Sequence, residues 1–172
     1  MTPQEFDAFY AASFSRLTGQ LYALTGNWSE AQDVVQEAFI RAWDRRSTFD
    51  PDDAPEAWIR TTARRLAHSR WRRLARGLHL AGRHHRQEPP TVEPPTEEHL
   101  MLVNALRDLP EAQRGALVLH HMCDLSVEQV AAETGASVSA VKSRLSRGRT
   151  ALAAVLADAD QAPTSEEGKL RV

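Results

Sequence analysis

Thiol chemistry is all but absent from this chain, whose one cysteine is Cys123. A lone cysteine excludes an internal disulfide framework and any zinc site built on paired cysteines. Long apolar runs are missing as well: none approaches the roughly 20 residues that cross a bilayer, so no membrane insertion is expected. The opening residues, MTPQEFDAF, are acidic and lack the apolar stretch of a secretion signal. The expected compartment is therefore the cytosol. Neither the phosphate-cradling GxxxxGKS/T pattern nor HExxH occurs. With no catalytic constellation in view, an enzyme is not expected, nor a cofactor, nor a metal site. Strand-type alternation and internal repeats are also lacking.

What remains is ordinary in bulk and uneven in detail. The 172 residues, 42% hydrophobic and 26% charged, suit one domain or two small ones. A net charge of -2 conceals a split. From Arg60 to Arg86 there are nine arginines and no acid, whereas residues 1–59 hold ten acids and four arginines. Such a split suggests one surface for a polyanion and another for a different partner. A chain this close to neutral binds naked DNA weakly, since phosphate neutralisation supplies much of the affinity. A larger companion on the DNA is therefore anticipated.

Helical spacing dominates. Phe6, Phe9, Tyr10, Phe14, Leu17, Leu21 and Leu24 recur at intervals of three and four, predicting a helix over 4–25 that Gly26 and Asn27 stop. Ser29 and Gln32 have the form of a capping box. The helix predicted after them runs to about Arg46, with Ala31, Val34, Val35, Ala38, Phe39, Ala42 and Trp43 on its apolar side. Residues 47–55 (STFDPDDAP) predict a loop. A third helix is expected from Pro55 to Ala75, its stripe made of Trp58, Ile59, Thr62, Ala63, Leu66 and Ala67. Glycines and prolines between Gly77 and Pro95 break the pattern and mark a flexible linker, where His84 and His85 read as solvated. A second helical set begins with Leu100, Leu102, Val103, Leu106 and Leu109, and Pro110 suits the first turn of the next helix. His120, His121 and Cys123 fall in that helix and read as packing or surface residues. The expected organisation is all-α, with domains at 1–76 and 98–157, a linker at 77–97 and a disordered tail at 158–172.

The most informative stretch is Leu125 to Leu152. Ser126 and Gln129 form a capping box, Gly135 permits a left-handed turn, and Ser137 is a good N-cap. Beyond it Val141, Leu145, Gly148 and Leu152 make an inward stripe. A short helix, a glycine turn and a second helix give the helix-turn-helix plan, whose second helix enters the major groove. Ser139, Lys142, Ser143 and Ser146 lie on the outward side, flanked by Arg144, Arg147 and Arg149. Serine and arginine suit base edges, and lysine and further arginines suit phosphates. Gly148 costs about 1 kcal/mol of helix propensity against alanine, a cost consistent with a close helix contact there.

With both halves in place, the chain resembles an extracytoplasmic-function sigma factor of the sigma-70 family. Asp33 to Trp43 (DVVQEAFIRAW) is similar to the DLVQETFLRAW signature of region 2.2, which docks on RNA polymerase. The resemblance implies polymerase contacts for Asp33, Gln36, Glu37, Arg41 and Trp43. Trp58 to Ala67 is similar to the WLxxIARNxA segment of regions 2.3 and 2.4, with Arg65 where asparagine is usual and, beyond that segment, Ser69 where aspartate is frequent. The resemblance implies capture of the melted -10 strand by Phe49, Arg60, Thr61, Arg64 and Arg65, where base capture needs a pocket, hydrogen bonds and cations. Leu109 to Arg114 is similar to the LPxxxR start of region 4.1. Val141 to Arg149 (VKSRLSRGR) is similar to the VKSRLxRAR signature of region 4.2, with Gly148 replacing alanine. It implies -35 base contacts for Ser143, Ser146 and Arg147, and phosphate contacts for Lys142, Arg144 and Arg149. Core RNA polymerase, promoter DNA and an anti-sigma factor are the partners implied. The rival expectation is a stand-alone helix-turn-helix regulator, a symmetric dimer binding duplex DNA without polymerase.

Overall fold

The structure, a computed structural model, describes residues 1–49, 54–75 and 95–161. Among the described residues it is helical without strands, and it divides into two compact units, the first ending at Val103 and the second starting at Asn104. Unit one holds α1 (Pro3–Thr25), α2 (Trp28–Asp44), a 3-10 turn (Arg46–Thr48) and α3 (Pro55–Ala75). The division falls inside α4 (Glu97–Arg107). Unit two continues with α5 (Glu111–Leu117), α6 (Val127–Thr134) and α7 (Val138–Gln161). The expected linker lies outside the described residues except for 95–97. Helix α7 carries on to Gln161, and the remainder of the expected tail lies outside the described residues.

In unit one α2 packs against both α1 and α3. Its buried face is Ala31, Val34, Val35, Ala38, Phe39 and Ala42, and the three alanines let neighbouring backbones approach. Phe6, Phe14, Leu17 and Leu21 supply the α1 side of the core, and Ile59, Ala63, Leu66 and Ala67 the α3 side. Phe39 is the hub of an aromatic cluster, with Tyr10 edge-on at 4.8 Å, Phe9 at 5.7 Å and Phe6 at 6.2 Å. Such pairs add about 0.5–1.5 kcal/mol beyond their buried area. A two-pronged Arg16–Glu56 ion pair, one arm at 2.6 Å, ties α1 to α3. It is exposed, so its contribution stays below about 1 kcal/mol.

Local signals set the helix ends. Thr2 and Glu5 form a capping box on α1: the Thr2 amide donates to Glu5 Oε2 at 2.7 Å and the Glu5 amide to Thr2 Oγ1 at 3.2 Å. The Thr2 amide, and then the Thr2 hydroxyl, hold the Glu5 carboxyl below its ordinary pKa. Gly26 ends α1 in the left-handed region at φ 69°. The capping box expected at Ser29 does not form. The N-cap is Asn27, whose side chain accepts from the Glu30 amide at 3.0 Å, so that Ser29 already lies inside α2. Two residues, Gly26 and Asn27, suffice to connect α1 to α2, leaving Ser29 no terminus to cap.

In unit two the core is Leu106, Leu109, Ala116, Leu117, Val118, Leu119, Val130, Ala131, Val141 and Leu145. Leu100, expected in a core, is exposed on α4. The last turn of α5 widens into a π-helical turn, Val118–Met122, and Asp124 then turns the chain with φ 52°, a conformation that aspartate tolerates better than most residues. Against α5, Gly148 of α7 is buried, and a Cβ placed there would stand 3.0 Å from Leu117 Cδ1 and 3.4 Å from Gln113 Cβ. The glycine is thus a contact point between α5 and α7.

All four tryptophans (28, 43, 58 and 71) fall in unit one, so their fluorescence reports that unit while circular dichroism reports both. Gly148→Val should destabilise unit two by about 1–3 kcal/mol. In urea, the circular dichroism transition should move down and the fluorescence transition stay in place. Gly148→Ala should stay within about 1 kcal/mol of wild type, because gained helix propensity offsets the tight contact.

Candidate nucleic-acid interface

The local structure from Leu125 to Thr150 is a helix-turn-helix. Ser126 caps α6 by accepting from the Gln129 amide at 3.2 Å, and Gln129 Oε1 accepts from the Ser126 amide at 2.7 Å. Gly135 closes α6 at φ 66°. Ser137 opens α7 by accepting from the Ala140 amide at 3.1 Å. Val141, Leu145 and Gly148 are buried and Leu152 half-buried, so one side of α7 is committed to packing. The opposite side is then presented outward without further choice. Ser139, Lys142, Ser143, Ser146, Arg147 and Arg149 are all exposed, and Arg144 is half-buried at the margin. From Val138 to Ala157 the chain has no acid, so this face is basic throughout. Lys142 does feel one carboxylate, Glu128 of α6. That carboxyl lies below its ordinary pKa chiefly through its own backbone amide and the Ser126 hydroxyl, with Lys142 adding to the shift.

The second candidate region sits where the 3-10 turn meets α3. Phe49 packs edge-on against Trp58 with centroids 5.7 Å apart, and the Arg45 guanidinium lies 5.3 Å from the Trp58 ring centroid. Thr61 and Arg65 follow Trp58 at spacings of three and four, which places them on one row of α3. Thr61 and Arg64 are half-buried and Arg65 is exposed. Residues 50–53 of the adjoining loop lie outside the described residues. Arg60 is different. It is only 5% exposed, inside the bundle rather than facing a strand, which corrects the expectation that it stands with the other -10 residues. Arg60, Ala63 and Ala67 share a face by their spacing of three and four, and that face is the buried one. Arg45 was overlooked in the sequence, although its place just after α2 and before the aromatic turn was visible.

On α2 the residues expected to meet polymerase all lie on the side away from the core. Asp33 and Arg41 are exposed, Gln36 and Glu37 half-buried, and Trp43 is 36% exposed. Trp43 is not idle: Phe6 meets it edge-on at 5.3 Å and the Arg46 guanidinium stacks 4.0 Å from its ring centroid. Ile40, 45% exposed, sits at the middle of this outer face and was not singled out from the sequence. An isoleucine that breaks the polar side of an amphipathic helix was the available signal. Glu37 accepts from Arg41 and from Arg70 of α3, both at 2.6 Å, so its carboxylate helps to fasten α2 to α3.

Among the described residues no group of three or more histidines, cysteines and acids converges on a possible metal position, and no helix is long and apolar enough to cross a membrane. Residues 9–77 match the family described as Sigma-70 region 2, and residues 99–152 match Sigma-70, region 4. The chain is 34% identical to the ECF RNA polymerase sigma factor EcfG of Rhodopseudomonas palustris over 78% of its own length and 75% of that protein. It is 31% identical to the ECF RNA polymerase sigma factor SigL of Mycobacterium tuberculosis, over 71% of this chain and 72% of that one. Its structure is similar to that of the sigma factor RpoE of Bartonella quintana, solved in complex with the anti-sigma factor NepR (TM-score 0.70, 25% identity, 90% of this chain and 98% of that one). It is also similar to CnrH in complex with the cytosolic domain of CnrY (TM-score 0.65, 27% identity, 93% and 92%).

Glu37→Ala should lower the stability of unit one by about 0.5–1.5 kcal/mol, since it leaves Arg70 without its carboxylate. Asp33→Ala, on the same face but exposed, should shift it by less than about 0.5 kcal/mol. Urea unfolding followed by tryptophan fluorescence separates the two.

Proposed function

This chain belongs to the extracytoplasmic-function branch of the sigma-70 family of RNA polymerase sigma factors, and from that premise we propose how its residues divide the work of starting transcription. As a sigma factor it binds core RNA polymerase and directs initiation at promoters. Two family regions in order on one chain set aside the stand-alone regulator. Members of this family act as binding subunits, and we assign no covalent step and no cofactor to this one. Its work belongs where polymerase and chromosome meet, in the cytoplasm.

We assign residues 1–76 to polymerase docking and the -10 element, 98–157 to the -35 element, and 77–97 to a linker between them. The observation that carries the -35 assignment is the division of α7, with Val141, Leu145 and Gly148 inward and a serine- and arginine-bearing face outward. Arg147, Ser143 and Ser146 reach base edges, where arginine offers two parallel donors to guanine. Ser139, Lys142, Arg144 and Arg149 hold phosphates and set register. In unit one, the row of Thr61 and Arg65 beside Phe49 and Trp58 meets the melted -10 strand, with Arg64 supplying charge. Arg60, being buried, supports α3 instead. Asp33, Gln36, Ile40, Arg41 and Trp43 face the polymerase, an apolar centre with polar flanks that set orientation. Two weak DNA contacts held on one large enzyme gain effective concentration, and binding free energy drives strand opening without nucleotide hydrolysis. An anti-sigma protein is a further partner in this reading, by analogy with the two relatives seen in such complexes.

Run-off transcription with purified core polymerase and a promoter library tests the assignment. Arg147→Ala and Lys142→Glu should each cut promoter-specific transcript at least about tenfold, as loss of a bidentate base contact or reversal of a phosphate contact requires. Unchanged transcript from both would remove α7 from promoter reading. Asp33→Arg with Ile40→Glu should weaken polymerase association about tenfold while leaving the unfolding transitions in place. Association equal to wild type would remove the α2 face from the docking surface.

A further inference from the structure

The outward row of α7 makes contact beyond its own helix. Lys142, Ser146 and Arg149 follow one another at spacings of four and three, and Arg149 meets a residue 28 positions earlier in the chain. Its Nε–H donates to His121 Nε2 at 3.4 Å. His121 is exposed, on the π-helical turn that follows α5. Its ring lies 4.7 Å from that of His120. His120 is anchored, because its Nδ1–H donates to the Leu125 carbonyl at 2.7 Å, and that bond joins the turn to the start of the helix-turn-helix. Two elements thus bring an imidazole to the side of an arginine at the end of the promoter-facing row.

We propose that His121 and Arg149 together form a backbone-phosphate site flanking the -35 element, in which His121 takes up a proton as the DNA phosphate arrives. The inference rests on the reading of α7 as the -35 helix and extends it to a residue on another element. Without DNA, Arg149 donates to His121 Nε2, which has a lone pair to offer only in the neutral ring. Partial desolvation holds the His121 pKa below its ordinary value, and the charges of His120 and Arg149 push the same way. Among the described residues, His120 and Arg149 are the charged neighbours that act on it. A phosphate oxygen reverses the balance. It accepts from the Arg149 guanidinium, and its negative charge raises the imidazole pKa, so that protonated His121 becomes a second donor.

The sign follows from linkage. The imidazole pKa is depressed in the unbound protein and raised in the complex, so binding takes up a proton between those two values. Affinity therefore rises as pH falls through the bound pKa. It levels off below the unbound one, where both states are protonated.

Holoenzymes assembled with wild type, His121→Gln and His121→Lys test this on a promoter fragment active in run-off transcription, by fluorescence anisotropy between pH 7.5 and 5.5. Wild-type affinity should rise by about fivefold more than that of His121→Gln over this range, as one added charge-assisted contact implies. His121→Lys should hold the low-pH affinity at both ends. At pH 5.5 the slope of log affinity against log salt should be shallower by about one for His121→Gln than for wild type. A His121→Gln holoenzyme with the wild-type pH profile and salt slope would overturn the proposal. Arg147→Ala, run alongside, separates the causes. If it too leaves binding unchanged, the placement of α7 on the promoter has failed; if it weakens binding while His121→Gln does not, only the phosphate site has.

Discussion

A helix buried along one side has no freedom left in where it aims the other, and this constraint governs both surfaces proposed to meet the partners of the protein. On α7, Val141, Leu145 and Gly148 are pressed against the rest of unit two, Gly148 so closely that even a methyl group would crowd Leu117. On α2, three alanines and three larger apolar residues are buried between α1 and α3. Side chains on the exposed sides are therefore held by packing that they do not themselves take part in. Pre-organisation of this kind lowers the cost of binding, because ordering side chains at the moment of contact costs about 0.5–1.5 kcal/mol for each flexible one.

The two surfaces differ in how far they are also structural. The outer face of α7 is nearly disengaged from its own unit: Lys142 feels Glu128, and Arg149 meets His121, but the serines and Arg147 are exposed. The outer face of α2 is more entangled. Glu37 pairs with Arg41 and Arg70, and Trp43 lies between Phe6 and Arg46. A loss of polymerase binding on changing Glu37 thus mixes lost contact with a loosened α2–α3 junction, whereas Asp33 and Ile40 carry no such burden. The same reasoning sets Arg60, which is buried, apart from Thr61 and Arg65, which are half-buried and exposed on the row of Trp58.

Much of this was legible in the residues because burial leaves a periodic trace. The apolar stripes of α2 and α7 appear in the sequence nearly as they appear in the core, and Gly135, Ser126 and Ser137 mark the turn of the helix-turn-helix by local chemistry alone. Where the reading failed, competing local signals or missing depth were responsible. Ser29 offered a capping pattern, but Asn27 stood two residues nearer to the chain reversal and took the cap. Arg60 entered the -10 set through the resemblance of its segment, while its spacing from Ala63 and Ala67 placed it on the face that is buried. Leu100 has the right type for a core, yet α4 turns it outward.

Long-range juxtaposition is the part that periodicity cannot supply. Nothing in the run LHHMCDL links either histidine to a residue 28 positions away; only the fold of the π-helical turn against α7 does so. The consequence is chemical rather than architectural. An arginine facing water is a fixed charge, and its attraction for phosphate changes with salt but not with pH in the physiological range. An arginine whose Nε–H is shared with an imidazole belongs to a pair that can gain a proton. That pair can present one positive charge or two, according to whether a phosphate is there to hold the second. At the end of the outward row of α7, on the proposed reading, it makes the grip on the DNA backbone responsive to acidity, while sequence preference rests with the separate serine and arginine side chains proposed to reach base edges.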